Sequence, residues 1–151
     1  MENSNFIKGS IHVFIQKALI ASFDSVLEAE NWIINYYKDW QKISEHWSYN
    51  TWHNYVFINS CQASYVYWKI YTGLKDKDSK YIYYGDYLID DNNIKWSIHN
   101  TPEEFKTKKF KDGWYLISYD GVSSPRQKGI TKNTYKLDNY KVYKPIEENF
   151  R

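Results

Sequence analysis

The chain is poor in residues that staple, break or chemically activate a fold. One cysteine, Cys61, stands alone in 151 residues, so an intramolecular disulfide is excluded. A reducing, cytoplasmic setting is the matching expectation. No run of about 18 apolar residues occurs, which argues against a membrane-spanning helix and makes a membrane partner unexpected. The opening residues, Met1-Glu2-Asn3-Ser4-Asn5, lack the basic start of a secretory signal, and Lys17 interrupts the apolar stretch Ile11 to Phe23. There are three prolines and six glycines, with no tract rich in either, no internal repeat and no linker composition. One globular domain over residues 1–151 is the economical expectation, at a length sufficient for a single core.

Catalytic and metal-binding signatures are absent too. The four histidines, His12, His46, His53 and His99, show neither H-x-x-x-H nor H-E-x-x-H spacing, and no C-x-x-C pair exists, so no metal is expected. Asp76-Lys77-Asp78 and Asp90-Asp91 lack the glycine and distal glutamate of a calcium loop. No glycine-rich phosphate loop, G-x-S-x-G elbow or dinucleotide fingerprint appears, and no cofactor is expected. Cys61 would need a base brought to it by the fold to serve as a nucleophile, and a lone cysteine is more often an inert small residue. The chain therefore reads as non-enzymatic.

What is abundant is aromatic. Sixteen tyrosines, seven tryptophans and seven phenylalanines make up 20% of the chain. Tyrosine and tryptophan bury a large apolar face and keep one polar atom, which suits half-buried sheets and binding surfaces alike. Lysine outnumbers arginine 18 to 2, beside 16 isoleucines and 13 asparagines. Lys, Ile, Asn and Tyr share A/T-rich codons, as in the genomes of many viruses, phages and low-GC bacteria.

Two helices are expected first. Ile11, Phe14, Ile15, Ala18 and Leu19 follow helical spacing behind a capping Ser10, although His12 to Ile15 also reads as a strand. Val26, Ala29, Ile33, Tyr36 or Tyr37, Trp40 and Ile43 form a longer stripe, with Ser25 and Glu28 as a capping box. From about residue 50 the period becomes two. Strands are expected over 52–59, 64–72, 81–89, 94–99 and 114–119, with 135–144 a sixth strand or a hairpin turning at Asp138-Asn139, a short helix starting at Thr101-Pro102 and a long polar loop over 121–133. Short connections make neighbours antiparallel. The expected fold class is α+β: one or two N-terminal helices packed on a curved antiparallel β-meander of five to six strands. Cystatin-like and NTF2-like cones share that element order, and a small barrel capped by helices is the second architecture.

Two surfaces are candidates for binding. If Val66, Trp68 and Ile70 face the helix, then Tyr65, Tyr67 and Tyr71 point away from it, with Tyr81 and Tyr83 beside them. The alternative is that these rings simply stabilise the sheet. Residues 105–144 carry a balance of +7, through Lys106, Lys108, Lys109 and Lys111 in one cluster and Arg126, Lys128 and Lys132 in the long loop. Such a segment suits phosphates or an acidic protein, yet the scarcity of arginine disfavours bidentate recognition. The first functional reading is thus a protein-binding domain, an inhibitor or accessory protein of viral, phage or mobile-element type that occupies a partner's surface. Nucleic-acid or nucleotide binding by the basic segment with stacking tyrosines is the second, predicting steep salt dependence. A small pocket enzyme on a cone-like α+β fold, with His53 or Asp86 as base, is the third. Tyrosine-rich edge strands also leave a homodimer open.

Overall fold

Alternation of apolar and polar residues dominates the chain, and the computed structural model realises it as eleven strands and one helix among the described residues, which are 8–46, 53–100, 110–119 and 124–143. In order these are β1 (Ile11–Ile15), β2 (Ala18–Phe23), α1 (Val26–Tyr36), β3 (Gln41–His46), β4 (His53–Asn59), β5 (Gln62–Lys75), β6 (Tyr81–Tyr83), β7 (Tyr87–Asp90), β8 (Lys95–Asn100), β9 (Phe110–Ser118), β10 (Arg126–Thr131) and β11 (Tyr140–Val142). The chain divides between Ile70 and Tyr71 into two compact units. The architecture is mostly antiparallel β with one helix, roughly α+β. It has two sheets where one meander was expected, and only parts of each run as a meander.

The first unit corrects the expected first helix. Residues 11–23 form a β-hairpin, β1 pairing with β2 from Ile11↔Phe23 to Ile15↔Ala18. Its two-residue turn, Gln16-Lys17, has φ of 52° and 73°, the positive pair that a type I′ turn requires. β1 also pairs with β5, completing a sheet of order β2-β1-β5-β4-β3. Ile11 and Val13 are buried on one face of β1, and His12 and Phe14 are buried on the other, so the strand reads as neither clean alternation nor a clean helix.

Helix α1 starts where expected. The Ser25 hydroxyl accepts the Glu28 amide at 3.2 Å, and the Glu28 carboxylate accepts the Asp24 amide at 3.2 Å, a reciprocal capping box. It ends at Tyr36, one turn and more before the stripe does. Ile43 belongs to β3 instead, and Trp40 is half-buried in the turn between. Tyr37 explains the stop. Its ring stacks on Phe57 of β4 at 4.3 Å and its hydroxyl bonds Ser64 of β5 at 2.6 Å, so tertiary packing turns the chain into strand β3.

Ala29, Ile33 and Tyr37 pack on the face carrying Tyr55, Phe57, Val66 and Trp68, and Tyr55 donates to the Glu30 carboxylate at 3.2 Å. Burial, then the nearby Glu30 carboxylate, pushes the Tyr55 phenol well above its ordinary pKa. Trp68 is only 2% exposed, so the helix-facing side of β5 is the core of this unit.

In the second unit a meander runs β7-β8-β9-β10, with β11 added beside β7, giving the order β10-β9-β8-β7-β11. Residues 71–75 of β5 pair with β6 in the same unit. The expected strand 81–89 is split by Tyr84-Gly85-Asp86, where Gly85 takes φ of 86°. The polar segment 121–133 contains strand β10, and the strand expected over 135–144 shortens to β11. The helix expected at Thr101-Pro102 lies outside the described residues. Leu88, Trp96, Ile98, Trp114, Leu116 and Ile130 are buried in this unit. Among the described residues no helix is long and apolar enough to cross a membrane.

Candidate functional site

The five tyrosines singled out by alternation fall in both units. Tyr65 and Tyr67 lie on the face of the first sheet opposite α1, because Val66 and Trp68 take the inward positions between and beside them. Register then defines the rest of that outward face. Tyr67 stands opposite Phe14, which stands opposite Leu19. Tyr65 stands opposite Val56, and Ala63 opposite Ile58. Phe14 and Tyr67 stack at 5.0 Å with planes 9° apart, a pair that fixes both rings.

Tyr65 is different. It is 55% exposed, while its backbone N–H and carbonyl are both bonded to Gln16. The Tyr65 N–H donates to Gln16 Oε1 at 2.6 Å, and the Gln16 N–H donates to the Tyr65 carbonyl at 2.9 Å. A held backbone thus presents an open ring, flanked by half-buried Val56, Ile58 and Tyr67. Along the same face toward β5's centre, His12 and Lys69 are buried, the Lys69 ammonium lying 5.8 Å from both the Phe14 and Tyr67 rings. Burial lowers the His12 pKa, more than its backbone hydrogen bond to Gly9 raises it.

Tyr71, Tyr81 and Tyr83 form a ring cluster in the second unit, at 4.7 Å for Tyr71 to Tyr81 and 5.9 Å for Tyr71 to Tyr83. Tyr83 is 8% exposed and belongs to the core there. Tyr81 is exposed but sits beneath the Lys75 ammonium at 5.7 Å. Burial raises the Tyr71 phenol pKa, with a smaller push from Tyr81.

Of the basic residues, Lys106, Lys108 and Lys109 lie outside the described residues, as does the side chain of Lys111. Arg126 and Lys128 are on β10, an edge strand, and Lys132 is exposed just beyond it. Lys128 donates to the Tyr140 hydroxyl at 2.7 Å and lies 5.1 Å from the Trp96 ring, which Arg126 also approaches at 5.8 Å. Trp96 is on β8, the central strand of this sheet, so the two cations reach inward from the β10 edge and cover the ring's apolar surface. Asp90 completes this group. Burial pushes its carboxyl up, but donors from the Ile94 amide, the Trp96 indole and the Asn92 amide, with the Lys128 charge, together hold it below its ordinary value.

Three polar groupings lie apart from these two surfaces. Asp76 is fully buried, and its carboxylate accepts the amides of Asp78, Lys80 and Val142 at 2.8, 2.9 and 2.9 Å. Asp86, the carboxylate offered above as a base, is buried and accepts the Tyr83 amide at 2.8 Å, the geometry of a turn-closing side chain. Ser97 Oγ lies 2.8 Å from His99 Nε2, between Tyr84 and Tyr115. Burial lowers the His99 pKa, which favours the neutral ring. A nucleophile–base pair needs an orienting third group and an oxyanion cradle as well. The ring contacts around His99 are aromatic, and two residues on one strand face meet in any sheet. No cluster of three metal-ligating side chains occurs among the described residues.

Compared with known protein families, curated proteins and solved structures, the chain matches none of them.

Proposed function

We propose that the chain is a non-enzymatic protein-binding domain that occupies a partner's surface through the outward sheet face of its first unit, centred on Tyr65. The observation that supports this reading is the contrast within one face. Tyr67 is spent on Phe14, whereas Tyr65 is open, held through its backbone by two hydrogen bonds with Gln16 and bordered by the aliphatic Val56 and Ile58 of β4. An amphipathic ring on an ordered backbone loses little entropy on binding, which is why tyrosine recurs at the centres of interfaces. An inhibitor or accessory protein is the form of function that such a surface serves.

Phosphate recognition draws less support. Lys128 and Arg126 lie over Trp96, and Lys128 also bonds Tyr140, so both cations are already engaged within their own sheet. The test is affinity capture from host lysate with wild type and Tyr65→Glu as parallel baits, with and without nuclease and at two salt concentrations. A protein retained through nuclease and high salt by wild type, and lost by a Tyr65→Glu chain of unchanged circular dichroism, supports the reading. Recovery of nucleic acid that salt removes from both baits alike overturns it in favour of the basic segment.

A further inference from the structure

The edge of a sheet can accept another chain, and folded proteins usually guard it with charge. The two strand orders end in β2, β3, β10 and β11. Three of these ends follow the rule, with Lys42 and Glu45 on β3, Arg126 and Lys128 on β10 and Lys141 on β11. β2 breaks it. Its six residues, Ala18-Leu19-Ile20-Ala21-Ser22-Phe23, carry no charge, and Leu19 and Ile20 are 43% and 49% exposed. Among the described residues only β1 pairs with β2. The two-residue turn makes Ile15 and Ala18 the closing pair, so the Leu19 amide and carbonyl point away from β1. One flank of α1 is turned to this strand. Phe23, on the helix-facing side of β2, lies 5.8 Å from Trp32, and Trp32 lies 5.0 Å from Tyr36, whereas the other flank meets β4 through Glu30 and Tyr55. Trp32 is half-buried and Tyr36 is exposed. An uncharged edge thus has an aromatic flank on its helix-facing side.

We propose that β2 and the Trp32–Tyr36 flank of α1 form a docking site for an extended segment of a partner protein, which adds to the sheet as a strand beside β2. The open backbone groups define the occupant's form, because only an extended chain presents amides and carbonyls at the matching alternation. The side chains define its composition. Alternate residues of an added strand face α1, where Phe23, Trp32 and Tyr36 favour an apolar side chain, and the others lie on the face that carries Leu19. Charge sets the direction. Lys17 precedes β2, whereas Asp24 follows it with Glu28, whose carboxylate accepts the Asp24 amide at 3.2 Å. Asp24 is itself fixed by accepting the Gly9 amide at 2.6 Å. An antiparallel strand that begins with a base and ends with an acid meets opposite charge at both ends. A second copy fits less well, because self-pairing of β2 brings only Ala21 to the aromatic flank, Phe23 being engaged with its own Trp32. Ile20 is skipped in the register with β1, and this bulge bends the strand, so the pairing is short and the affinity modest. The site is separate from Tyr65, and the two proposals stand or fall separately.

Fluorescence anisotropy with the full chain tests this, the probe being a labelled, end-capped peptide that runs lysine, alternating valine and threonine, then glutamate. Saturable binding to wild type is expected. N-methylation of one alternate set of the peptide's amides is expected to abolish binding and of the other set to spare it, because only one edge of an added strand faces β2. Exchanging the terminal lysine and glutamate is expected to weaken binding about fivefold. Ile20→Lys, which charges the edge, and Trp32→Ala are expected to weaken it about tenfold or more. Circular dichroism of each variant separates lost binding from lost folding, and Tyr36→Ala, at an exposed ring, replaces Trp32→Ala if that chain does not fold. Tyr65→Glu is expected to bind the peptide as wild type does, which keeps this site distinct from the one centred on Tyr65. No saturable binding to wild type, equal loss with both N-methylated sets, or a folded Ile20→Lys chain that binds as wild type does would each overturn the proposal. A wild-type dimer in sedimentation velocity without peptide, lost in Ile20→Lys, would overturn it in favour of a second copy at the same edge.

Discussion

Two carboxylates and two histidines show how much of this chain's polar chemistry is structural. Asp76 sits in a run of alternating charges, Lys75-Asp76-Lys77-Asp78, that reads as an exposed turn, and three of those four residues are exposed. Asp76 alone turns inward, because its carboxylate closes two turn amides and catches the Val142 amide of the far strand β11. Composition could not distinguish it from its neighbours, since the deciding partner lies 66 residues away. Asp76→Ala is expected to cost about 3 kcal/mol or more, since three part-buried amides lose a charged acceptor together. Urea unfolding of the variant measures this, and a midpoint within error of wild type would contradict it.

The histidines add a pH dependence. Burial lowers the pKa of both His12 and His99 from the ordinary 6.5. The unfolded chain therefore binds protons before the folded one does. The stability contributed by their neutral forms is complete above pH 6.5 and declines as pH falls through the range between that value and the lower folded values. Melting temperature is thus expected to fall between pH 7.5 and 5.5, less steeply in His99→Asn than in wild type. A flat profile in wild type, or the same slope in both, would exclude this source. Asp90 has the carboxylate sign: held below its ordinary 3.8, it stabilises above that value and loses its contribution only in stronger acid.

At the scale of elements, local signals were legible where they were local. The Ser25 cap, the Glu28 partner and the inward Ala29 and Ile33 all stand where spacing puts them, and so do the buried Val66, Trp68 and Ile70. Ser25→Ala is expected to lower stability by about 1 kcal/mol, read by thermal unfolding, with Ser25→Gly costing a few tenths. An alanine variant as stable as wild type would mean that Glu28 alone holds the helix start.

The hairpin β1-β2 was hidden for two physical reasons. Its turn uses Gln16-Lys17 where the usual signal would be Asn-Gly, and the positive φ values are held by Gln16's two bonds to Tyr65, 49 residues on. Burial on both faces of β1 then removes the alternation that marks a strand. The early end of α1 has the same origin, a tyrosine whose partners, Phe57 and Ser64, lie on later strands. The Tyr65 surface was half legible. Alternation assigned its face, but only the Phe14 contact shows that Tyr67 is fixed while Tyr65 is open.

For the molecule as a whole, the aromatic content has two uses that sequence alone merges. Most rings stabilise: Tyr37 on Phe57, Tyr67 on Phe14, Tyr71 with Tyr81 and Tyr83, Trp96 under Lys128. Tyr65 is the ring that the proposed function depends on. The most direct measurement is the equilibrium dissociation constant of the captured protein for wild type, Tyr65→Ala and Tyr81→Ala, each with its melting temperature. The account predicts a near-native melt for Tyr65→Ala with binding weakened about 30-fold, the equivalent of roughly 2 kcal/mol, and binding unchanged in Tyr81→Ala. Equal binding by Tyr65→Ala and wild type, or a Tyr65→Ala chain that unfolds, would contradict it.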